Sequence, residues 1–281
     1  MQGREIAFAG LRKFAPFCGN GASQRVIPRR NNMVKRALVT GANKGIGFEI
    51  ARELGKNGYE ILLGARDESR GAQAVENLKK DNIAVSFVRV DLHDFDTLHA
   101  ASVQVGTLDI LVNNAGIPGN LKTEKSNFDM DKSPFAYTTD ELRQTMEVNF
   151  FGTHELIKSL LPKLSEEAKI INVTIPVSGN HYWQPLAYKT SKAAQNVMTM
   201  IFGVEFAKTG SKRQVFGVMP GATATDLNGE TEGAHGGKVK SARDAGKLIA
   251  GLALDSKNFN GCLINWDGTR IASYEPADFA V

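Results

Sequence analysis

The residue pattern predicts an α/β fold: a doubly wound sheet of about seven mostly parallel strands, with helices on both faces. Three observations carry that expectation. From residue 36 onward, short apolar runs alternate with amphipathic stretches. The runs are apolar throughout, as in strands covered on both faces. Each polar, glycine-bearing motif falls where such a run ends, which is the edge where open α/β sheets bind ligands.

The elements follow in order. "RALVT" (36–40) is the first strand, and "GIGFEIARELGKNG" (45–58) a helix with Ile46, Ile50 and Leu54 on one face. "EILLGAR" (60–66) is a strand, 68–80 a helix, "VSFVRVD" (85–91) a strand, and 94–105 a helix. "LDILVNNAG" (108–116) is the fourth strand, running into a polar turn. One long helix is expected from Thr139 to Leu161, stopped by Pro162, which cannot donate to a helical ladder. "AKIINVT" (168–174), a second long helix from Leu186 to Lys208, "RQVFGVMPG" (213–221) and "GCLINWDG" (261–268) complete the series. Right-handed crossovers wind such a chain into a Rossmann-type sheet.

Composition narrows the class. The 281 residues are 42% hydrophobic and 23% charged, which suits a large core in a globular chain. No apolar run approaches the roughly 20 residues of a membrane helix. Cys18 and Cys262 have neither disulfide-framework nor metal-ligand spacing, so no metal is expected and a reducing compartment is. The net charge of +4 is uneven: residues 1–36 hold eight Lys/Arg and one acid, Glu5, leaving the remainder net negative. No basic patch interleaved with aromatics follows, so nucleic acid is not an expected partner. The expected organisation is a disordered basic extension, 1–33, and one domain, 34–281. The extension reads as a tail, as an over-long start before Met33, or as an Arg-rich mitochondrial transit segment; the expected location is cytoplasmic, with mitochondrial the alternative.

"TGANKGIG" (40–47) lies between the first strand and first helix. Gly41, Gly45 and Gly47 permit a tight turn and close backbone approach, and exposed N–H groups at the helix start suit a pyrophosphate. NAD sites usually carry an acid at the end of the second strand for the ribose 2′-OH. Here Ala65 stands there, followed by Arg66, with Lys44 in the phosphate turn. Two cations suit a 2′-phosphate, which points to NADP(H); alternatively both are solvated surface cations.

"YKTSK" places Tyr188 and Lys192 at i, i+4, on one helix face. A phenol is a poor acid–base group near neutrality, and a neighbouring ammonium lowers its pKa. The tyrosine could then protonate a carbonyl oxygen as hydride reaches the carbon.

With "NNAG" (113–116), "VNFFG" (148–152) and "PGATATDL" (220–227) added in order, residues 34–275 resemble a classical short-chain dehydrogenase/reductase, nearest the NADPH-using carbonyl reductase branch. The resemblance implies that Gly41, Asn43, Lys44, Gly45, Ile46 and Gly47 line the cofactor phosphates and ribose, and that Arg66 takes the 2′-phosphate. It implies Asp91 and Leu92 at the adenine, and Asn114, Ala115 and Gly116 at the adenosine ribose. It gives Asn149 the role of the catalytic asparagine that holds a proton-relay water. Tyr188 becomes the acid–base, with Lys192 on the nicotinamide ribose. Pro220, Gly221 and Thr223 would fix the nicotinamide. The segment 228–240 falls where the family carries a substrate lid. Taken singly, Asp91 reads equally as a helix cap, Asn114 as a turn former and Asn149 as a packed polar residue.

One position departs from the family. The serine expected thirteen residues before the tyrosine is replaced by Ile175, within "NVTIPVSG" (172–179). Thr174 or Ser178 substitutes in part, or Tyr188 acts without a hydroxyl, or the chain binds NADP(H) with weak redox activity or a non-redox role. The expected substrate is a small or medium hydrophobic ketone or aldehyde, or the corresponding alcohol. Phe128, Phe135, Tyr182 and Trp183 would shape its pocket or simply pack as loop. The family associates through helices matching 139–161 and 186–208, as dimers or tetramers, although carbonyl reductases are also monomers.

Overall fold

The computed structural model describes residues 34–119, 132–177 and 185–272. The expected N-terminal extension lies outside them, as do Ser178, Phe128, Tyr182 and Trp183. The chain alternates β1 (Arg36–Thr40), α1 (Gly45–Lys56), β2 (Glu60–Ala65), α2 (Glu68–Lys80), β3 (Val85–Arg89), α3 (Phe95–Gln104) and β4 (Leu108–Asn113). Next come α4 (Thr139–Met146), a π-helical segment (Glu147–Gly152), α5 (Thr153–Leu160), β5 (Leu164–Val173) and α6 (Leu186–Lys208). The chain continues through β6 (Gln214–Val218), α7 (Ala242–Leu254), β7 (Leu263–Ile264) and β8 (Arg270–Ala272).

The sheet order is β3-β2-β1-β4-β5-β6-β7-β8. Every pairing is parallel except β7 with β8. The direction of winding reverses between β1 and β4, where an open α/β sheet leaves a crevice beyond its strand ends. The short antiparallel β8 extends the sheet past the seven expected strands.

Alternate residues of each strand serve opposite faces. Ala37, Val39, Ile61, Leu63, Ile110, Val112, Ile171 and Phe216 pack beneath α1, α2 and α7. Leu38, Leu62, Val88, Leu111, Ile170 and Val215 pack beneath α3, α5 and α6. Fully burying an aliphatic side chain of this size contributes roughly 1.5–3 kcal/mol, so the two layers supply the main stabilisation.

Local signals explain several boundaries. Asp67 caps α2 by accepting from Arg70 N, and Asp94 caps α3 by accepting from Asp96 N. Thr138 and Glu141 form a reciprocal capping box at α4. The helix expected over 139–161 is not continuous: it passes through the π-helical segment at 147–152 before resuming. There the segment passes so close to the strand-end loop after β3 that a Cβ on Gly152 would sit 2.1 Å from the Leu92 carbonyl oxygen. No helix among the described residues is long and apolar enough to cross a membrane.

Candidate active site

The turn after β1 is fixed from both sides. Gly41 and Gly45 adopt positive φ of 64° and 58°, the left-handed region that favours glycine. A Cβ on Gly47 would lie 2.5 Å from both the Gly41 carbonyl oxygen and Asn114 Nδ2. Asn114 Nδ2 donates to the Thr40 and Gly41 carbonyl oxygens at 3.0 and 3.3 Å. Thr40 Oγ1 accepts from the amides of Asn114 and Ala115, both at 3.0 Å, tying the ends of β1 and β4 together. Thr40 was not among the expected site residues; its signal was its place as the last residue of the strand, directly before the first glycine of the turn.

Helix α1 starts at Lys44 and Gly45 with no side-chain cap and no acid in its first turn. Its leading N–H groups and its dipole are therefore available to an anion. Ile46 and Asn43 border this turn. These features fit a dinucleotide pyrophosphate.

The two expected 2′-phosphate cations differ. Arg66 follows β2, is exposed, and has no ion-pair partner among the described residues. Lys44 Nζ instead pairs with Asp226 at 2.8 Å, joining the phosphate turn to the loop after β6. Asp91 lies just beyond β3, where its carboxylate accepts from His93 N at 3.0 Å. The helix cap is Asp94, so the capping alternative for Asp91 does not hold.

Asn149 sits in the π-helical segment and is fully buried. Its Oδ1 accepts from Ile117 N at 2.8 Å, and its Nδ2 donates to Ile117 O at 2.9 Å and to Ser191 Oγ at 3.0 Å. The side chain thus clamps the turn after β4 to α6. Gly116 lies in that turn, where an added Cβ would come 3.1 Å from Asn149 Oδ1. π-Segments are frequent at functional sites because they re-aim backbone carbonyls.

Tyr188 and Lys192 stand one turn apart on α6, and Lys192 Nζ lies 5.7 Å from the centroid of the Tyr188 ring. Lys192 is 2% exposed, which is unusual for a lysine. Its Nζ donates to the Val173 carbonyl at 2.7 Å and to Gln195 Oε1 at 3.0 Å. Burial pushes the Tyr188 phenol up to about 12 and draws the Lys192 ammonium down to about 7. The tyrosine therefore holds its proton at neutral pH, while the lysine is poised between charged and neutral forms.

Thr174, directly after β5, is buried and donates Oγ1–H to Asn196 Oδ1 at 2.6 Å. Asn196 Nδ2 donates in turn to the Ile175 carbonyl at 3.3 Å. The i, i+4 spacing of Tyr188 and Lys192 gives no signal for Gln195 or Asn196, whose partners Lys192 and Thr174 are set by the fold.

After β6, Pro220 is buried and Gly221 adopts φ of 81°, packed against Trp266. Thr223 is buried and bridges to Lys240. Lys240 Nζ lies 4.1 Å from the Trp266 ring centroid. The far end of segment 228–240 is thus pinned to the loop after β6. Phe135 is almost wholly exposed. The structure brings Gly41, Gly47, Asn114, Asn149, Tyr188 and Lys192 to one edge of the sheet; Ser178 lies outside the described residues.

Comparison with known proteins agrees with this geometry. Residues 35–235 match the short chain dehydrogenase family. The chain is 39% identical over 147 residues to carbonyl reductase (NADPH) 1 of Mus musculus, covering 50% of this chain and 49% of that one. It is 36% identical over 157 residues to (+)-neomenthol dehydrogenase of Arabidopsis thaliana, covering 49% and 52%. These matches span about half the length of the curated relatives. The structure of NADPH-bound carbonyl reductase from chicken fatty liver superposes with a TM-score of 0.71 at 25% identity, covering 85% of this chain and 99% of that one. That of salutaridine reductase from Papaver somniferum gives 0.67 at 26%, covering 82% and 99%. The chain belongs to the short chain dehydrogenase family.

Proposed function

We propose that this protein is an NADP(H)-dependent reductase acting on the carbonyl of a small or medium hydrophobic ketone or aldehyde, with Tyr188 as proton donor. The observation that carries the reading is the Tyr188–Lys192 pair on α6, with a buried ammonium 5.7 Å from the tyrosine ring at the ligand-binding edge of the sheet. Relatives named as NADPH carbonyl reductases support the choice of cofactor and reaction.

The glycine turn and the open N-terminus of α1 would hold the cofactor's phosphates. Arg66 would take its 2′-phosphate, with Lys44 nearby. Asp91, Leu92, Asn114 and Gly116 would border the adenosine half, and Pro220, Gly221 and Thr223 the nicotinamide. When bound, the cofactor supplies a hydride to the carbonyl carbon. The remaining work falls to the chain: Tyr188 gives its hydroxyl proton to the carbonyl oxygen, and the Lys192 ammonium stabilises the phenolate left behind. Asn149 holds the turn after β4 against α6, which fixes the distance between the cofactor edge and the tyrosine.

A second reading is favoured by one observation: Ile175 stands in the serine's place, and the Thr174 hydroxyl is committed to Asn196. In that reading the chain binds NADP(H) without appreciable carbonyl reduction. An NADPH-oxidation screen over diverse hydrophobic ketones and aldehydes separates the two. Turnover that falls on the order of 10²- to 10⁴-fold in Tyr188→Phe, with folding and cofactor binding kept, supports the proposal. Undiminished turnover in Tyr188→Phe removes Tyr188 as the acid, and cofactor binding without consumption favours the second reading.

The exposed apolar residues Phe151, Val197 and Ile201 lie on the helices expected to mediate self-association. They support a homo-oligomer; a monomer in sedimentation equilibrium at micromolar concentration would count against it.

A further inference from the structure

Gln195 is wholly buried on α6, three residues past Lys192, and its side chain turns back toward the lysine. Its Oε1 accepts from Lys192 Nζ at 3.0 Å, beside the Val173 carbonyl at 2.7 Å. Chemistry fixes which end of the amide faces the lysine, because an ammonium only donates and needs an acceptor opposite it. The other end of the amide, Nε2, has no hydrogen-bond partner among the described residues. A buried donor left unpaired is unfavourable, and a methionine of similar shape would avoid that penalty. Packing therefore gives no reason for an amide here, whereas its contact with Lys192 does.

We propose that Gln195 is a positioning residue for Lys192: its amide oxygen, with the Val173 carbonyl, holds the ammonium charged and in place, leaving the third N–H for the Tyr188 side of the site. This rests on the Tyr188–Lys192 reading above.

Two effects oppose each other at the Lys192 ammonium. A water-poor pocket favours the neutral amine, and hydrogen bonds accepted from the charged form oppose that. Burial already draws Lys192 down to about 7, so losing an acceptor of its N–H groups would favour the neutral amine further. Tyr188 stands beside it, and α6 also carries Lys189, whose pKa burial draws down. Several charged groups on packed neighbours are engaged elsewhere. Glu141 of α4 pairs with Lys132, and Asp140 with Arg143. Lys169 of β5 caps the end of α7 through the carbonyls of Ala253 and Asp255. Glu147 lies on the π-helical segment, and β6 carries no charge.

The test titrates Lys192 directly in the cofactor-free protein, by NMR on isotope-labelled lysine, with the resonance assigned by its loss in Lys192→Arg. Gln195→Met is expected to lower the titration midpoint by about one pH unit, and Gln195→Glu to raise it by a similar amount. The alkaline limb of kcat for NADPH-dependent reduction should move in the same two directions. A merely structural role would reduce folded protein in Gln195→Met without lowering the midpoint, whereas the Gln195→Glu shift checks only that this side chain lies against the ammonium. Gln195→Leu removes the same acceptor, so loss of folding in Gln195→Met leaves Gln195→Leu decisive. An unchanged Lys192 midpoint in a folded variant overturns the proposal. Undiminished turnover in Tyr188→Phe would instead overturn the reading of the site, and the titration distinguishes the two because it needs no turnover.

Discussion

Thr174 Oγ1 lies 2.6 Å from Asn196 Oδ1, with both side chains buried between β5 and α6, and the threonine is the donor. Its one hydroxyl proton is thereby used within the fold. We expect Thr174→Val to lower stability by about 1–2 kcal/mol, by leaving the asparagine oxygen unpaired. Its kcat should stay within a factor of about three, against the roughly 10²-fold expected for a lost substrate donor. Thr174→Ser should recover the stability. Denaturant unfolding and NADPH oxidation, run side by side, decide between a structural and a substrate-binding hydroxyl.

Lys192 should trade stability for function. Its folded-state pKa is drawn from 10.5 down to about 7 by burial, so between those values the unfolded chain binds more protons than the folded one. Stability therefore rises with pH across that window; the penalty is full below about pH 7 and gone above the ordinary lysine value. Lys192→Met is expected to stabilise the protein by on the order of 2 kcal/mol near pH 6, with the gain shrinking toward pH 10, while turnover collapses. Equal gains at both pH values in thermal or urea unfolding would contradict the assignment of a buried, desolvated ammonium.

Arg66 and Lys44 should contribute unequally to cofactor choice. Arg66 is exposed and has no ion-pair partner among the described residues, whereas Lys44 is paired with Asp226. Arg66→Asp is expected to weaken NADPH binding by about tenfold or more and leave NADH nearly unchanged, because only NADPH carries the 2′-phosphate. Asp226→Asn frees Lys44 and should tighten NADPH by no more than about fivefold, an effect that fades with added salt. Fluorescence titration with both cofactors reads each outcome; an Arg66→Asp protein that still prefers NADPH would place the discriminating cation elsewhere.

The legible parts of the fold were those with a local cause. The expected bounds of α2 and α6 coincide with the observed ones, since apolar periodicity and a cap such as Asp67 act within a few residues. Helix α7 was not foreseen. Its Gly246 and Gly251 depress helix propensity, and Gly246 is explained by an approach to α1, where a Cβ would fall 2.5 Å from that of Glu49. The interruption around Asn149 was likewise invisible, because its hydrogen-bond partners Ile117 and Ser191 lie 32 and 42 residues away.

The sequence by itself determined the doubly wound, mostly parallel sheet, the succession of its strands and helices along the chain, and the placement of Tyr188 and Lys192 on one helix face. Periodicity and glycine placement act over short stretches and leave few alternatives. Tertiary structure alone decided which polar atoms remain available. It committed Thr174 to Asn196, Lys44 to Asp226 and Asn149 to Ile117, and it enclosed Lys192 between Val173 and Gln195. The physical reason is that a side chain's hydrogen-bond partners and desolvation depend on elements meeting across the sheet edge, and those meetings leave no period in the sequence.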